Sequence, residues 1–591
     1  MAADDDQIER PDGRVELREG VVLDDPALFN EDLAPTKLEK RTWSTYTFAA
    51  LWISMAHCIP TYMLAAGLIS AGMSWLQALV TILIGNVIVL LPILANSHPG
   101  TKYGIPFPVF ARAAYGVFGA NVPAVMRAIV ACGWFGINAW IGGQALQTFF
   151  RSLWPSWQTL LGPMSSADGW LFGGHYPTEW ISFLLFWALN ILIVYKGMEL
   201  VRKVENLAAP YVLVMTAVLV WWAVDKANGL GDIMRSEGKF RTFSEFWPVF
   251  VPSVTAMIGF WSTLSLNMPD FTRFGRSQRE QAVGQVVALP TTMTVFAMMG
   301  IVITSASSVI YGQAIWDPVD LVGRFENRLV VAVSMFTVVI ATLGVNIAAN
   351  VVSPANDFAN IKPGAISFKT GGLITGILGA LMLPWKLIAD PNGYIFKWLL
   401  GYSGGLGSIA GVLVADYWLV RKKELRLADL YRRDGVYAYG PAVSGTAAGT
   451  PASSGAGLGW IGAGVALTAA GAIVTAMSTT VIWYGAIVVG LVWIGRGVMR
   501  LSRDARVEAP APAAGAYREG APPPAGRATY RGSGVNGVAL AATGIGCLLA
   551  WIGLVVKPLA PLYDYAWFVG AGGAGVSYTV LMLRRPGRRS A

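Results

Sequence analysis

Charge is scarce in this chain: Asp, Glu, Lys and Arg make up 13% of 591 residues, about half the share of a soluble domain. Cysteine is scarcer still. Cys58, Cys132 and Cys547 sit in apolar stretches without CxxC spacing, which excludes a disulfide framework or a cysteine zinc site and leaves them as packing residues. The HExxH and GxxxxGK[ST] patterns are missing, as is any soluble catalytic stretch. An enzyme is therefore not expected, nor are catalytic residues, a cofactor or a firm metal site. The opening MAADDDQIERPDGRVELREG is charged and lacks the apolar core of a cleaved signal peptide.

Apolar residues are abundant, at 54%. Windows of about 20 such residues, the length that crosses a bilayer, fall near 45–69, 72–96, 121–149, 178–197, 206–224, 244–267, 282–311, 328–351, 370–388 and 394–420. A second set lies near 459–477, 480–499, 534–556 and 563–583. The expectation is an all-α polytopic protein of the plasma (inner) membrane, with about 14 transmembrane helices and lipid around it. With both termini cytoplasmic, the basic run RKKELRLADLYRRDG (421–435) and the tail Arg584, Arg585, Arg588 and Arg589 lie inside, as the positive-inside bias requires. The net charge of +9 then reports topology, and no nucleic-acid partner is implied. The loop 225–245 dissents, with Lys226, Arg235, Lys239 and Arg241 outside, offset by four acidic residues.

The chain divides into a cytoplasmic segment (1–44), two sets of five spans (45–225 and 226–420), and a basic segment with flexible linker (421–458). An inserted hairpin (459–499), a Pro/Ala-rich linker (500–533), two last spans (534–583) and a basic tail (584–591) follow. Oligomeric state is not legible.

Two stretches echo one another: LWISMAHCIP (51–60) in the first span and FWSTLSLNMP (260–269) in the sixth. A Pro inside a span frees backbone groups that hydrocarbon cannot satisfy, so such breaks belong beside cavities or buried in protein. Matching breaks in two sets of five suggest an inverted repeat around a midplane site. In GWFGINAWIGGQAL (133–146), Trp134 and Asn138 share a helical face. An indole beside a carboxamide suits a planar heterocycle with ring N–H and C=O groups. Asn346 and Asn350 are likewise four apart in ATLGVNIAANVVSP (341–354). The competing reading makes these amides interhelical hydrogen bonds alone and Trp261 a packing or interfacial residue.

NEDLAPTKLEKRTW (30–43), GTKYGIPFPVFARAAYG (100–116), GWFGINAW (133–140), NMPDFTRF (267–274), ANVVSPANDFAN (349–360) and ADYWLVRKKELRLADLY (415–431) resemble the nucleobase–cation symporter-1 family of cytosine, uracil, allantoin and hydantoin permeases. The resemblance covers roughly 30–440 and 534–583. It implies the five-plus-five inverted-repeat, LeuT-like fold of sodium-coupled amino-acid transporters with two trailing helices, and 439–533 departs from it. By the same resemblance, Trp134 and Trp261 sandwich the substrate ring, Asn350 hydrogen-bonds it and Phe260 offers a backbone carbonyl. Asn138 stands where many members have Gln. WWAVDKANGLGDI (221–233) and GKFRTFSEFWP (238–248) look most like bacterial allantoin permeases, so allantoin is the first expected substrate, with uracil or a cytosine/purine base as the alternative.

The family's cation positions match Ser54, His57, Ala341, Gly344 and Val345, and the last two lack the usual hydroxyls, a degenerate sodium site. His57, ionisable at membrane depth, points to H+ as coupling ion. Na+ is the alternative, with His57 then a neutral hydrogen-bonded residue. A facilitative channel or a substrate-sensing receptor is the competing class.

Overall fold

Hydrocarbon offers no water to backbone N–H and C=O groups, so a spanning chain satisfies them internally, as helix. The computed structural model describes residues 6–166, 173–196, 198–231, 238–313, 315, 317–387, 398–439, 442–443, 529–530, 532–554 and 556–584. These are almost wholly helical, apart from two short antiparallel strand pairs.

The first span is α1 (Thr45–Ala56) and α2 (Ile59–Ser70), bent by 57° at His57–Cys58. Pro60 brings no N–H to the Ala56 carbonyl, which instead accepts from the Thr61 hydroxyl at 2.8 Å and from Cys58 N at 3.0 Å. The break is thus satisfied from within. Next come α3 (Trp75–Tyr103), the short α4 (Phe107–Tyr115), α5 (Asn121–Leu153), α6 (Pro177–Lys196) and α7 (Met198–Lys226). Ser74 and Gln77 start α3 with a reciprocal capping box, and Gly104, at φ 71°, ends it.

The second set opens with α8 (Phe243–Asn267) and the one-turn α9 (Pro269–Thr272). Here the expected symmetry of breaks is corrected. The sixth span runs unbroken through Phe260–Asn267, and Pro269 sits in the first turn of α9, where its missing N–H costs nothing. Then follow α10 (Gln278–Tyr311), the short α11 (Pro318–Val322), α12 (Arg328–Asn350), α13 (Val352–Ile361), α14 (Phe368–Leu381) and α15 (Leu400–Val414). The eighth span steps at Val351, four residues after Ile347 and just before Pro354, whose ring crowds the Asn350 carbonyl.

Helix contacts follow a two-fold pattern. The first span packs on the seventh (α1 on α10), the second on the sixth (α3 on α8), and the third on the eighth (α5 on α12). A short helix follows the second helix of each set, α4 in one and α11 in the other. Glycines permit the close approaches: a Cβ on Gly136 of α5 would stand 2.3 Å from the Gly379 carbonyl of α14. The trailing α16 (Gly537–Trp551) and α17 (Ala566–Leu583) pack on α15.

By length and apolarity nine helices among the described residues can cross a membrane, ten with α1–α2 as one bent span. α7 and α14 occupy the places expected of the fifth and ninth spans. The hairpin 459–499, which supplies two of the expected fourteen, lies outside the described residues.

At one end of the bundle the N-terminal segment folds onto the segment after α15. Arg433 holds Asp25 through two bonds of 2.7 and 2.9 Å, Gln7 bonds the backbone of Leu425 and Leu427, and Tyr431 donates to the Leu33 carbonyl. Both segments thus lie at one end of the bundle.

Candidate functional site

The break in the first span, the midpoints of α5 and α8 and the last turn of α12 meet around a small cavity. Trp134, Asn138, Phe260, Trp261 and Asn350 all line it, with Met55, Cys58, Thr263 and Val345. The five residues singled out in the sequence, from three different spans, are therefore neighbours. Each is at most 6% exposed.

Its walls are aromatic. The Phe260 ring stands edge-on to both indoles, 5.2 Å from Trp134 at 80° and 4.8 Å from Trp261 at 88° between centroids. Trp52 backs Trp261 edge-on at 5.1 Å. The family resemblance implied only a backbone role for Phe260, whereas its side chain fills space between the indoles. Room remains for roughly one water molecule, so a planar ring enters only if the Phe260 ring swings aside.

The polar groups are few and partly unmatched. Asn138 donates to the Trp134 carbonyl one turn back at 3.1 Å, while its Oδ1 is buried with no hydrogen-bond partner among the described residues. The Trp261 indole N–H is buried in the same condition. Asn350 donates to Asn346 Oδ1 at 3.1 Å, and Asn346 donates to Asn190 Oδ1 at 3.2 Å. The pocket thus holds an unmatched acceptor and an unmatched donor, and burying such groups unpaired costs about 1–3 kcal/mol each. A ligand with ring N–H and C=O groups would satisfy both.

The five expected cation residues separate. His57 and Ala341 line a second, larger cavity behind the break, between α2, α7, α11 and α12. Val345 lines the aromatic pocket, Gly344 is buried and lines neither, and Ser54 is buried on α1. Cys58 touches both cavities. His57 Nε2 hydrogen-bonds the Thr216 hydroxyl of α7 and lies 3.3 Å from the Tyr62 hydroxyl. The ring packs on Phe296 at 4.7 Å, and Nδ1 is buried without a partner among the described residues. Thr342 and Thr337 of α12 line the same cavity. Sequence reasoning missed Thr216, Tyr62 and Thr342. Only Thr342, directly after Ala341, had a positional signal.

An all-helical membrane fold of two related five-span sets, with a polar and aromatic pocket beside a helix break, defines the class: a multi-pass transporter of the alternating-access type. Residues 35–453 match the family model described as "Permease for cytosine/purines, uracil, thiamine, allantoin", and the chain belongs to that family. It is 46% identical to an allantoin permease of Bacillus subtilis over 70% of this chain and 83% of that one. It is 40% identical to the purine-uracil permease NCS1 of Arabidopsis thaliana over 69% of this chain and 66% of the other. Among solved structures it resembles Mhp1, a nucleobase-cation-symport-1 family transporter in a closed conformation with bromovinylhydantoin bound. That likeness covers 80% of this chain and 96% of Mhp1, with 24% identity and a TM-score of 0.59, and it bears out the fold expected from the sequence.

Proposed function

We propose that this chain is a cation-coupled symporter that takes up allantoin or a closely related planar heterocycle. The observation that carries the reading is the aromatic pocket, where Trp134, Phe260 and Trp261 surround the unmatched Asn138 Oδ1 and Trp261 N–H. A heterocycle stacked on the indoles pairs its N–H with Asn138 Oδ1 and its C=O with the Asn350 amide. The likeness to an allantoin permease at 46% identity makes allantoin the first substrate; the 40% likeness to a purine-uracil permease makes uracil the second.

The coupling ion in this reading is the proton. Gly344 and Val345 supply no side-chain oxygen for a hard cation, and Nδ1 of His57, without a partner among the described residues, lies at the break beside both cavities. Substrate favours the closed state because only there do the indoles and amides meet it together, and that differential affinity drives the rocking of the bundle. The N- and C-terminal segments are cytoplasmic.

Uptake of radiolabelled allantoin into cells expressing the chain tests this, with uracil, cytosine and hydantoin as competitors, with and without sodium and an uncoupler. Saturable uptake that the uncoupler abolishes and sodium leaves unchanged is expected. Strict sodium dependence overturns the ion, uracil-selective uptake overturns the substrate, and uncoupler-resistant equilibration means a facilitative channel.

A further inference from the structure

Behind the pocket wall stands a residue that neither the repeats nor the motifs single out. Tyr402, in the first turn of α15, donates its hydroxyl hydrogen to the Gly259 carbonyl at 2.9 Å and accepts the Trp134 indole N–H at 3.1 Å. Gly259 immediately precedes Phe260. One oxygen atom therefore joins the tenth span to the third and the sixth, at the residues that carry both sides of the aromatic pocket.

The neighbouring backbone is built for this approach. A Cβ on Gly259 would stand 2.7 Å from the Leu399 carbonyl and 3.3 Å from Ser403 Cβ, and one on Gly133, next to Trp134, would stand 2.6 Å from the Trp398 ring. Two glycines in two helices thus let α15 sit close enough for the hydroxyl to reach both partners. The Tyr402 ring itself lies edge-on to Trp398 at 5.2 Å, which aims its hydroxyl inward. A lone hydroxyl has one hydrogen to give, and here it goes to a backbone carbonyl, so the oxygen faces the indole as an acceptor only. That sets the rotation of the Trp134 ring about its own axis and the height of the Gly259–Trp261 segment opposite it.

We propose that Tyr402 is a positioning residue for substrate recognition, setting the relation of the Trp134 indole to the Phe260–Trp261 wall and so the selectivity for a planar heterocycle. It makes no substrate contact of its own. The inference rests on reading the aromatic pocket as the substrate site. If wild-type cells take up none of the heterocycles, that reading fails; if wild-type uptake is intact, the experiment below tests Tyr402 alone.

Tyr402→Phe removes one oxygen and keeps the ring on Trp398. Uptake kinetics for allantoin, with inhibition constants for uracil and hydantoin, are measured alongside the amount of transporter in the membrane. A KM increase of roughly three- to tenfold, the weight of a neutral hydrogen bond, is expected at unchanged protein level, with an altered ratio of inhibition constants. A structural role alone lowers protein level and maximal rate and leaves KM and that ratio in place, which overturns the proposal. Trp134→Phe combined with Tyr402→Phe should cost less than the product of the two single effects, since the two share one hydrogen bond; strict multiplication of effects overturns it. Should Tyr402→Phe not reach the membrane, Gly259→Ala probes the same junction by pushing α15 away, and unchanged KM and inhibition ratios in that variant count against the proposal.

Discussion

Asn350 gives a side-chain N–H to Oδ1 of Asn346, one helical turn earlier, at 3.1 Å. Asn346 passes the chain on to Asn190 of α6, so three amides run from the pocket wall into the scaffold. The relay fixes which way the Asn350 amide faces. Asn350→Ala should raise KM for the transported heterocycle roughly tenfold by removing one hydrogen bond to it. Asn346→Ala should act more weakly on KM, because the pocket amide remains and only its orientation is freed, and should also cost about 1 kcal/mol of stability. Uptake kinetics and thermal stability of the two variants separate these effects; equal KM changes would count against the relay.

His57→Gln keeps a group able to hydrogen-bond the Thr216 hydroxyl but cannot take up a proton. If His57 carries the coupling proton, accumulation should lose its dependence on external pH between about 5 and 8, while exchange of substrate across the membrane persists. Thr216→Val, which removes the partner and leaves the imidazole, should keep pH dependence and shift its midpoint. Full pH dependence in the His57→Gln variant would make this histidine a structural residue.

Asp317 caps α11, its Oδ1 accepting from Val319 N at 2.8 Å. Desolvation in the loop before the eighth span, reinforced by the Asp320 charge, pushes its carboxyl from 3.8 up to about 7. The folded protein thus keeps a proton that the unfolded chain releases between about pH 4 and 7. This contribution to stability is full below about 4, declines as pH rises and is lost above about 7. Asp317→Asn preserves the cap, since Asn serves there as well as Asp, and removes the titration. Thermal unfolding of purified protein at several pH values should show a decline towards neutral pH that is shallower in this variant. An unchanged slope would assign the decline to other groups.

Arg127 of α5 and Asp357 of α13 form an ion pair at 3.3 Å with both side chains fully buried. Arg127 Nε and Nη2 and Asp357 Oδ1 have no further hydrogen-bond partner among the described residues. Asp357→Ala leaves the guanidinium uncompensated and should destabilise by about 3–5 kcal/mol. Replacing both, Arg127→Met with Asp357→Leu, should recover much of that loss. The recovery of monodisperse protein after heating measures both, and a harmless single substitution would mean that water already satisfies the arginine.

Much of this molecule was legible as a string. Apolar windows located the helices because hydrocarbon length and the need for internal hydrogen bonds act span by span. The break at His57–Cys58 was visible because Pro60 withholds a hydrogen bond within four residues, and the Trp134–Asn138 pair because helical spacing is local. Motif resemblance then brought Phe260, Trp261 and Asn350 to the same pocket, and the tertiary structure agrees.

What only the tertiary structure decided depends on contacts between distant spans. Pro269 reads like Pro60, yet it begins a new helix rather than breaking one, since Met268 before it already closes α8. His57 reads as a neighbour of Ala341, Gly344 and Val345, yet it faces Thr216 on the fifth span and a cavity apart from the aromatic pocket. Tyr402 carries no motif at all and acquires its place from two glycines on other helices that bring the tenth span within hydrogen-bond reach. Local chemistry specifies where a helix starts, stops or bends. Which groups face one another across 143 to 268 residues is settled by how the helices fit together, and that fit is a property of their joint surfaces.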